Sequence, residues 1–330
     1  MGAKEITIKE NMQLVLEGKQ PVWLPSFDEE FAFVGSLALG RKQNGKNNNV
    51  VDVFGTVFLV TPDGAVPDPA QHRLHDITKW REIMPEVDLS KIDWEEDARL
   101  IRAQYVEEGQ LINYYAGYVW EQLHYMMGFE EALVSLLLQP DAVYECMDAI
   151  ADFWIDAMRR SYKYLKPDFI MFFDHIATHQ GLLMSPDVYR NVIKPVQKKV
   201  YHAIAELGAI PEMHVDGYIE DVIPDFVDVG VRAIQPFQVM NDINRYKDEY
   251  GLLAIGGWDA FGPGNMEDAT EEEIRSSVRL SMDTYGPSGR YVFGNSGAIP
   301  RDEKHMMYLR DEALEYGQSF YSVQMVGAKL

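Results

Sequence analysis

The chain has 330 residues, 47% of them hydrophobic, and a formal net charge of −22 at pH 7. Such acidity repels phosphate backbones and argues against nucleic acid as a partner. The single cysteine, Cys146, excludes an internal disulfide and any thiolate metal cluster. The N-terminal stretch "MGAKEITIKENMQLVLEGKQ" lacks the short apolar core of a signal peptide, and no apolar run is long enough to span a membrane. The expected setting is the cytoplasm.

Short apolar runs alternate with longer amphipathic stretches along the chain. In order, the predicted strands are "PVWLPSF", "VVDVFGTVF", "LINYYAG", "FIMFFDH", "IPEMHVD", "VRAIQPF", "LLAIGGW" and "RYVFGN", eight in all. Residues 40–49, "GRKQNGKNNN", read as a polar turn, and 61–92 are rich in proline and charge. These two stretches are read as an N-terminal insertion that helps roof the mouth of the fold. Further on, "SPDVYRNVIKPVQKKVYHAIAELG" predicts a helix opened by Ser185 as N-cap and closed at Gly208. "DATEEEIRSSVRLSMDTYG" predicts another, with acidic residues in its first turn and Gly286 at its end. A strand–helix unit recurring at roughly 40 residues signals parallel βα units. The fold class is therefore α/β, a (β/α)8 TIM barrel forming one domain over 1–330. A doubly wound open sheet is second, because no glycine-rich phosphate loop follows the first strand.

Enzymes of that fold carry their chemistry at the C-terminal ends of the strands. Here those ends supply Ser26, Phe27 and Asp28; Asp52; Tyr115; Asp174 and His175; His214 and Asp216; Gln235 and Gln238; Trp258 and Asp259; and Asn295 and Ser296. In "EMHVDG" the residues Glu212, His214 and Asp216 alternate, so an extended chain turns all three to one side. A titrating imidazole beside a carboxylate suits acid–base work. The same pair, His214 and Asp216, can supply at most two ligands to one ion, and a third would come from Asp174, His175 or Asp259. No serine elbow appears, and Cys146 sits in a helical pattern, so nucleophilic catalysis lacks a nucleophile.

Four stretches carry a resemblance to a known family: "DVFGTVF", "YYAGYVWEQLHYMMGFEEAL", "MSPDVYRNVIKPVQKKVYHAI" and "GGWDAFGPGNMEDATEEEIRSSVRLSMDTYGPSGRYVFGNSGAIP". In this order and spacing they resemble the uroporphyrinogen decarboxylase superfamily, above all over residues 110–320. The resemblance implies a (β/α)8 barrel with decarboxylase and methyltransferase branches. The decarboxylases grip their polycarboxylate tetrapyrrole with arginines after the first strand. This chain has "VWLPSFDEEFAF" there, with three acidic residues and no arginine. They also carry a histidine after the last strand, where this chain has Ser296 in "GNSGAIP". Asp52 and Tyr125 match decarboxylase positions, yet porphyrinogen decarboxylation is excluded by the lost cations. The thiol-methylating branch binds zinc through His-x-Cys and a later cysteine, where this chain has "HVD" and Ser296.

What remains is the branch of corrinoid-dependent O-demethylases, which move a methyl group from a methoxylated aromatic compound to cobalt(I) of a separate corrinoid protein. The resemblance then implies His214, Asp216, Asp174 and His175 as catalytic residues. Phe27, Asp28, Tyr115, Tyr125, Tyr218, Gln235, Trp258, Asp259, Asn295 and Ser296 would line the substrate site, with Trp120 and Phe237 as further aromatic candidates. Zinc is an optional occupant at His214 and Asp216. The corrinoid comes with the partner, because the chain lacks the Asp-x-His-x-x-Gly motif that ligates it. The acidic turn Asp28–Glu29–Glu30 would border the mouth and steer that partner. Methylamine- or methylcorrinoid-linked transfer and a non-catalytic subunit are the alternatives, and assembly as a homodimer is left open.

Overall fold

The computed structural model describes residues 6–44, 49–61, 64–85, 87–295 and 302–327. Its centre is a curled parallel sheet of seven strands: β1 (Phe31–Gly35), β2 (Leu111–Tyr118), β3 (Phe169–Phe173), β4 (Ile210–His214), β5 (Ala233–Phe237), β6 (Leu253–Gly257) and β7 (Tyr291–Gly294). They lie side by side in chain order, which is the arrangement that successive βα units produce. Runs such as "FIMFF" in β3 and "LAIGG" in β6 are apolar throughout because helices cover one face and the interior the other.

Two expected strands behave otherwise. "PVWLPSF" contributes only an isolated parallel bridge, Ser26 to Phe293, while the first sheet strand is the following segment "FAFVG". "VVDVFGTVF" does not join the parallel sheet. Its ends lie in an antiparallel meander of Lys42–Gln43, Val50–Val51, Val57–Thr61 and Gly64–Pro67. An isolated apolar run shows that a strand is buried but not which neighbour it pairs with. The predicted helices form. Ser185 caps Pro186–Val188, a π turn over Tyr189–Ile193 follows, and Lys194–Leu207 ends at left-handed Gly208. The widened turn accommodates Pro195, whose ring and missing N–H disrupt a regular α-helix. Thr270 opens Glu271–Tyr285 with a complete capping box.

The concave face of the sheet is stratified. At the bottom, Phe31, Leu111, Phe169, Ala233 and Leu253 pack on Met12 and Val15 of the N-terminal helix Ile8–Leu16. One pleat higher, Asn113 of β2 donates from Nδ2 to Glu212 Oε2 of β4 at 2.9 Å, reaching across β3. Both residues are fully buried, and Asn113 Oδ1 and Glu212 Oε1 have no other partner. A protonated Glu212 resolves this, because its O–H is the only donor that the pair lacks. Another pleat up come Tyr115, Phe173 and His214, at the rim.

Burial raises Glu212 to about 8, the Asn113 amide opposing only in part. The folded pKa lies above the unfolded one, so the contribution of Glu212 to stability is full below the ordinary carboxylate range and is lost as pH rises through about 8. Glu30 and Asp174, held up at about 7 and about 6 by burial, act in the same sense. The informative quantity is therefore the difference between variant and wild type. Glu212→Gln is expected to gain stability relative to wild type as pH rises from 5 to 9, on the order of 1–3 kcal/mol, and to show no gain at pH 5. Urea denaturation across that range measures it, and a pH-independent difference would contradict a protonated Glu212.

Candidate functional site

Above the rim, β1, β2, β3 and the antiparallel meander enclose a cavity of about 570 Å³. Its walls are mainly aromatic: Phe33, Tyr115, Tyr118, Tyr125, Trp154 and Phe173. Tyr115 and Tyr118 stack with ring centres 5.9 Å apart, although residues three apart on a regular strand face opposite ways. A bulge makes the difference. The register of β2 on β3 slips between Tyr115 and Gly117, so Ala116 is an extra residue and the parity reverses. Gly117 permits this with φ of 152°, and a Cβ there would stand 2.5 Å from the Trp154 ring.

The polar end of the site is a cluster of hydrogen bonds and ion pairs fixed by four elements. His175, just past β3, presents Nδ1 to Glu121 Oε1 and Nε2 to Asp216 Oδ2, the latter at 2.9 Å but off the line of a hydrogen bond. His214, the last residue of β4, donates from Nδ1 to Gln235 Oε1 at 2.5 Å, which leaves its Nε2 bare and 4.0 Å from Asp216 Oδ2. Phe173 stacks on His214 with centres 3.8 Å apart. Gln238 Nε2 donates to Asp216 Oδ1 at 2.8 Å. Burial opposes charge on His175, yet the carboxylates of Asp216 and Glu121 outweigh it and push the pKa up to about 10. Burial and the charge of His175 together hold His214 down at about 4. The pair thus contains one imidazolium and one neutral imidazole near neutral pH.

The structure sorts the expected site residues clearly. Tyr115, Tyr125 and His175 line the cavity, and His214, Asp216 and Gln235 build the cluster beside it. Asp174 does not reach it: its Oδ1 accepts from the backbone N–H groups of Trp120 (2.9 Å) and Val119 (3.2 Å), and its Oδ2 from Gln197. It caps the helix Trp120–Met127 and so aims Glu121 at His175. Trp258 is fully buried and donates to Ser277, a core role, and Asp259 is exposed and shapes its own loop through Phe261 N–H. Phe27 stacks on Phe31 beside the lower cluster, and Tyr218 and Asn295 are half-buried outside the cavity wall. Trp120 and Phe237 belong to the core. Ser296 lies outside the described residues. The acidic turn is not a free patch either. Glu30 is buried on Trp23 Nε1 and Ser26 N–H, Glu29 pairs with Arg310 at 3.0 Å, and Asp28 alone is exposed.

Sequence reasoning missed Glu121, Tyr118, Phe173 and Arg41. The expected strand "LINYYAG" stops one residue short of Tyr118, and the bulge that turns Tyr118 to the side of Tyr115 leaves no trace in the hydrophobic alternation. Asp52 lines the cavity with its carboxylate taken up by Phe54 N–H, Thr56 N–H and Gln122 Nε2. Cys146 is wholly buried, and burial pushes its thiol up to about 12, which leaves it inert.

The liganding atoms of His175, His214 and Asp216 all lie within 4.8 Å of one another. Two imidazole nitrogens and one carboxylate form the three-ligand, open set that zinc uses for catalysis. Each of the three is held by an outer partner, Glu121, Gln235 or Gln238, on the atom that faces away from the cluster. The cluster thus fits a metal ion, and His175, not Asp174 or Asp259, is the third member.

A family model described as uroporphyrinogen decarboxylase (URO-D) matches residues 57–307. The chain belongs to the URO-D family. Among solved structures, a methyltransferase from Methanosarcina mazei is similar, with a TM-score of 0.60 and 13% identity, covering 94% of this chain and 99% of that one. No curated protein matches significantly. At that identity the neighbour speaks for the fold alone. Within the URO-D fold, the bulge at Gly117 is what assembles this chain's aromatic wall. Gly117→Ala is expected to lose about 2–4 kcal/mol through the Trp154 clash and the unfavourable φ. Chemical denaturation checks the value; a loss below about 0.5 kcal/mol would mean that the wall does not depend on the close approach.

Proposed function

We propose that the chain is a corrinoid-dependent methyltransferase that removes the methyl group of a methoxylated aromatic compound. The observation that carries this reading is the junction of an aromatic cavity with the His175–Asp216–His214 cluster. A volume of about 570 Å³ suits a single substituted ring, and aromatic walls hold an arene by stacking. The fold likeness to a methyltransferase lends support, and the TIM-like likeness supports reading the Ser26 segment as the eighth position of a closed barrel.

The methyl acceptor is cobalt(I) in a corrinoid presented by a partner protein, and it enters as a substrate. Cobalt supplies the electron pair for the new bond to carbon, the methyl C–O bond breaks, and its pair remains on the aryl oxygen. A phenolate leaves poorly at neutral pH, because phenol keeps its proton up to a pKa of about 10. The chain's task is to stabilise that oxygen. His175, charged and fixed between Glu121 and Asp216, can place an N–H or its positive field there; His214 keeps a bare Nε2. Zinc held by His175, His214 and Asp216 would supply Lewis acidity at the same place. Tyr115 and Phe173 orient the ring. A methylated amine as donor is less favoured, since Arg41 gives this aromatic wall a positive charge.

The test is incubation with titanium-reduced cobalamin and a panel of methoxyarenes while the cobalt spectrum is followed. Methylation that depends on the protein is expected, with no corrin absorbance in the protein itself. His214→Ala should lower the rate by about two to four orders of magnitude with the fold intact. Elemental analysis after chelator dialysis separates the two roles of the cluster: activity restored by zinc identifies ligands, and full activity without metal identifies a proton-donating pair. Absence of methyl transfer from every arene, with transfer from methylamines instead, would overturn the reading.

A further inference from the structure

Among the described residues, the cavity wall contains one side chain of permanent positive charge, Arg41. Its guanidinium carbon lies 3.6 Å from the centre of the Phe58 ring, so the plane of the group rests on an aromatic face. It also reaches the Tyr118 hydroxyl, whose pKa burial raises to about 12 and Arg41 pulls back in part. Neither carboxylate of the wall neutralises it by contact. Asp52 uses its oxygens on Phe54 N–H, Thr56 N–H and Gln122, and Glu121 is bound to His175. A planar fork of donors, held against a ring and facing an arene-sized space, matches a carboxylate geometrically as well as electrically.

We propose that Arg41 recognises a carboxylate on the substrate ring, so that the methyl donor is a methoxylated aromatic acid. The inference rests on the methyl-ether reading above for the reaction, but not for the binding. The ring would lie between Tyr115, Phe173 and Phe33, with its acid group at the Arg41 wall and its ether at the His175 end. A single arginine selects a monocarboxylate. A polycarboxylate would set its further charges against the carboxylates of Asp52 and Glu121. A neutral methoxyarene would forgo the charge-assisted bonds, and a quaternary ammonium donor would meet a like charge. Arg41 acts here on specificity, and the reacting atoms lie elsewhere.

Two measurements test it. Calorimetry with benzoate, which has no methyl to transfer, reads recognition without chemistry: wild type is expected to bind it, and Arg41→Met to bind it about ten- to a hundred-fold more weakly. Arg41→Lys, which keeps the charge but not the fork, should fall between them. Arg41 is exposed and on the surface side of the wall, so both variants should fold, which circular dichroism verifies. In the turnover assay, the ratio of kcat/KM for para-methoxybenzoate to that for methoxybenzene should drop by the same factor in Arg41→Met, with the loss in KM. Benzoate binding without methyl transfer would retain the Arg41 site while discarding the reaction. Equal binding by wild type and Arg41→Met, an unchanged ratio, or no affinity of wild type for benzoate would each overturn the proposal.

Discussion

The site depends on the placement of His175 between Glu121 and Asp216. Those two carboxylates come from the helix after β2 and the loop after β4, and the imidazole itself follows β3. One ring therefore ties three consecutive strand ends together. Glu121 is buried, so its contact is strengthened by low polarity, while the Asp216 side remains open to solvent. Asp174, next in sequence, serves the same end by other means: it caps the helix that carries Glu121. Without that cap the first turn of the helix would lose an acceptor for its N–H groups, and Glu121 would lose its aim.

Below the cluster, the concave face changes character one pleat at a time. An apolar floor sealed by Met12 and Val15 is followed by the buried Asn113–Glu212 pair and then by the ring stack of Phe173 on His214. The polar pair keeps a carboxyl group in the interior without charge, since burial holds its proton on. This matters for the site above. An ionised Glu212 would add negative charge two residues from His214, whereas a neutral one leaves the imidazole to its burial first and then to His175 and Asp216. Among the described residues, the charges of the concave face beside this site thus sit at the rim, where strand ends and loops hold partners for them.

Much of this fold was readable from the chain. Six of the eight expected strands lie in the parallel sheet, because a parallel strand covered on both faces must be apolar along its length. The helix limits at Ser185, Gly208 and Gly286 were legible from cap chemistry, which is local. The failures were of partnership. "FAFVG" follows the expected strand "PVWLPSF" after a single helical turn, and which one pairs with β2 is decided by a neighbour about eighty residues away. "VVDVFGTVF" has strand composition and forms strand, but in the meander that walls the cavity.

The sequence by itself determined the parallel α/β framework and the placing of His214 with Asp216, because alternation and cap signals act over a few residues; the superfamily followed from the resemblance of four longer stretches. It also ruled out a thiolate metal site, since the one cysteine is a matter of count. Only the tertiary structure decided that His175 joins the cluster while Asp174 turns away, because both lie beyond the last paired residue of β3, where the pleat no longer dictates a side. The same holds for the pairing of Tyr115 with Tyr118, which a bulge makes possible, and for Arg41, whose segment faces the arene-sized space only after the meander folds back. Local periodicity can say which residues are buried. Which of them meet is settled by contacts between strands and loops far apart in the chain.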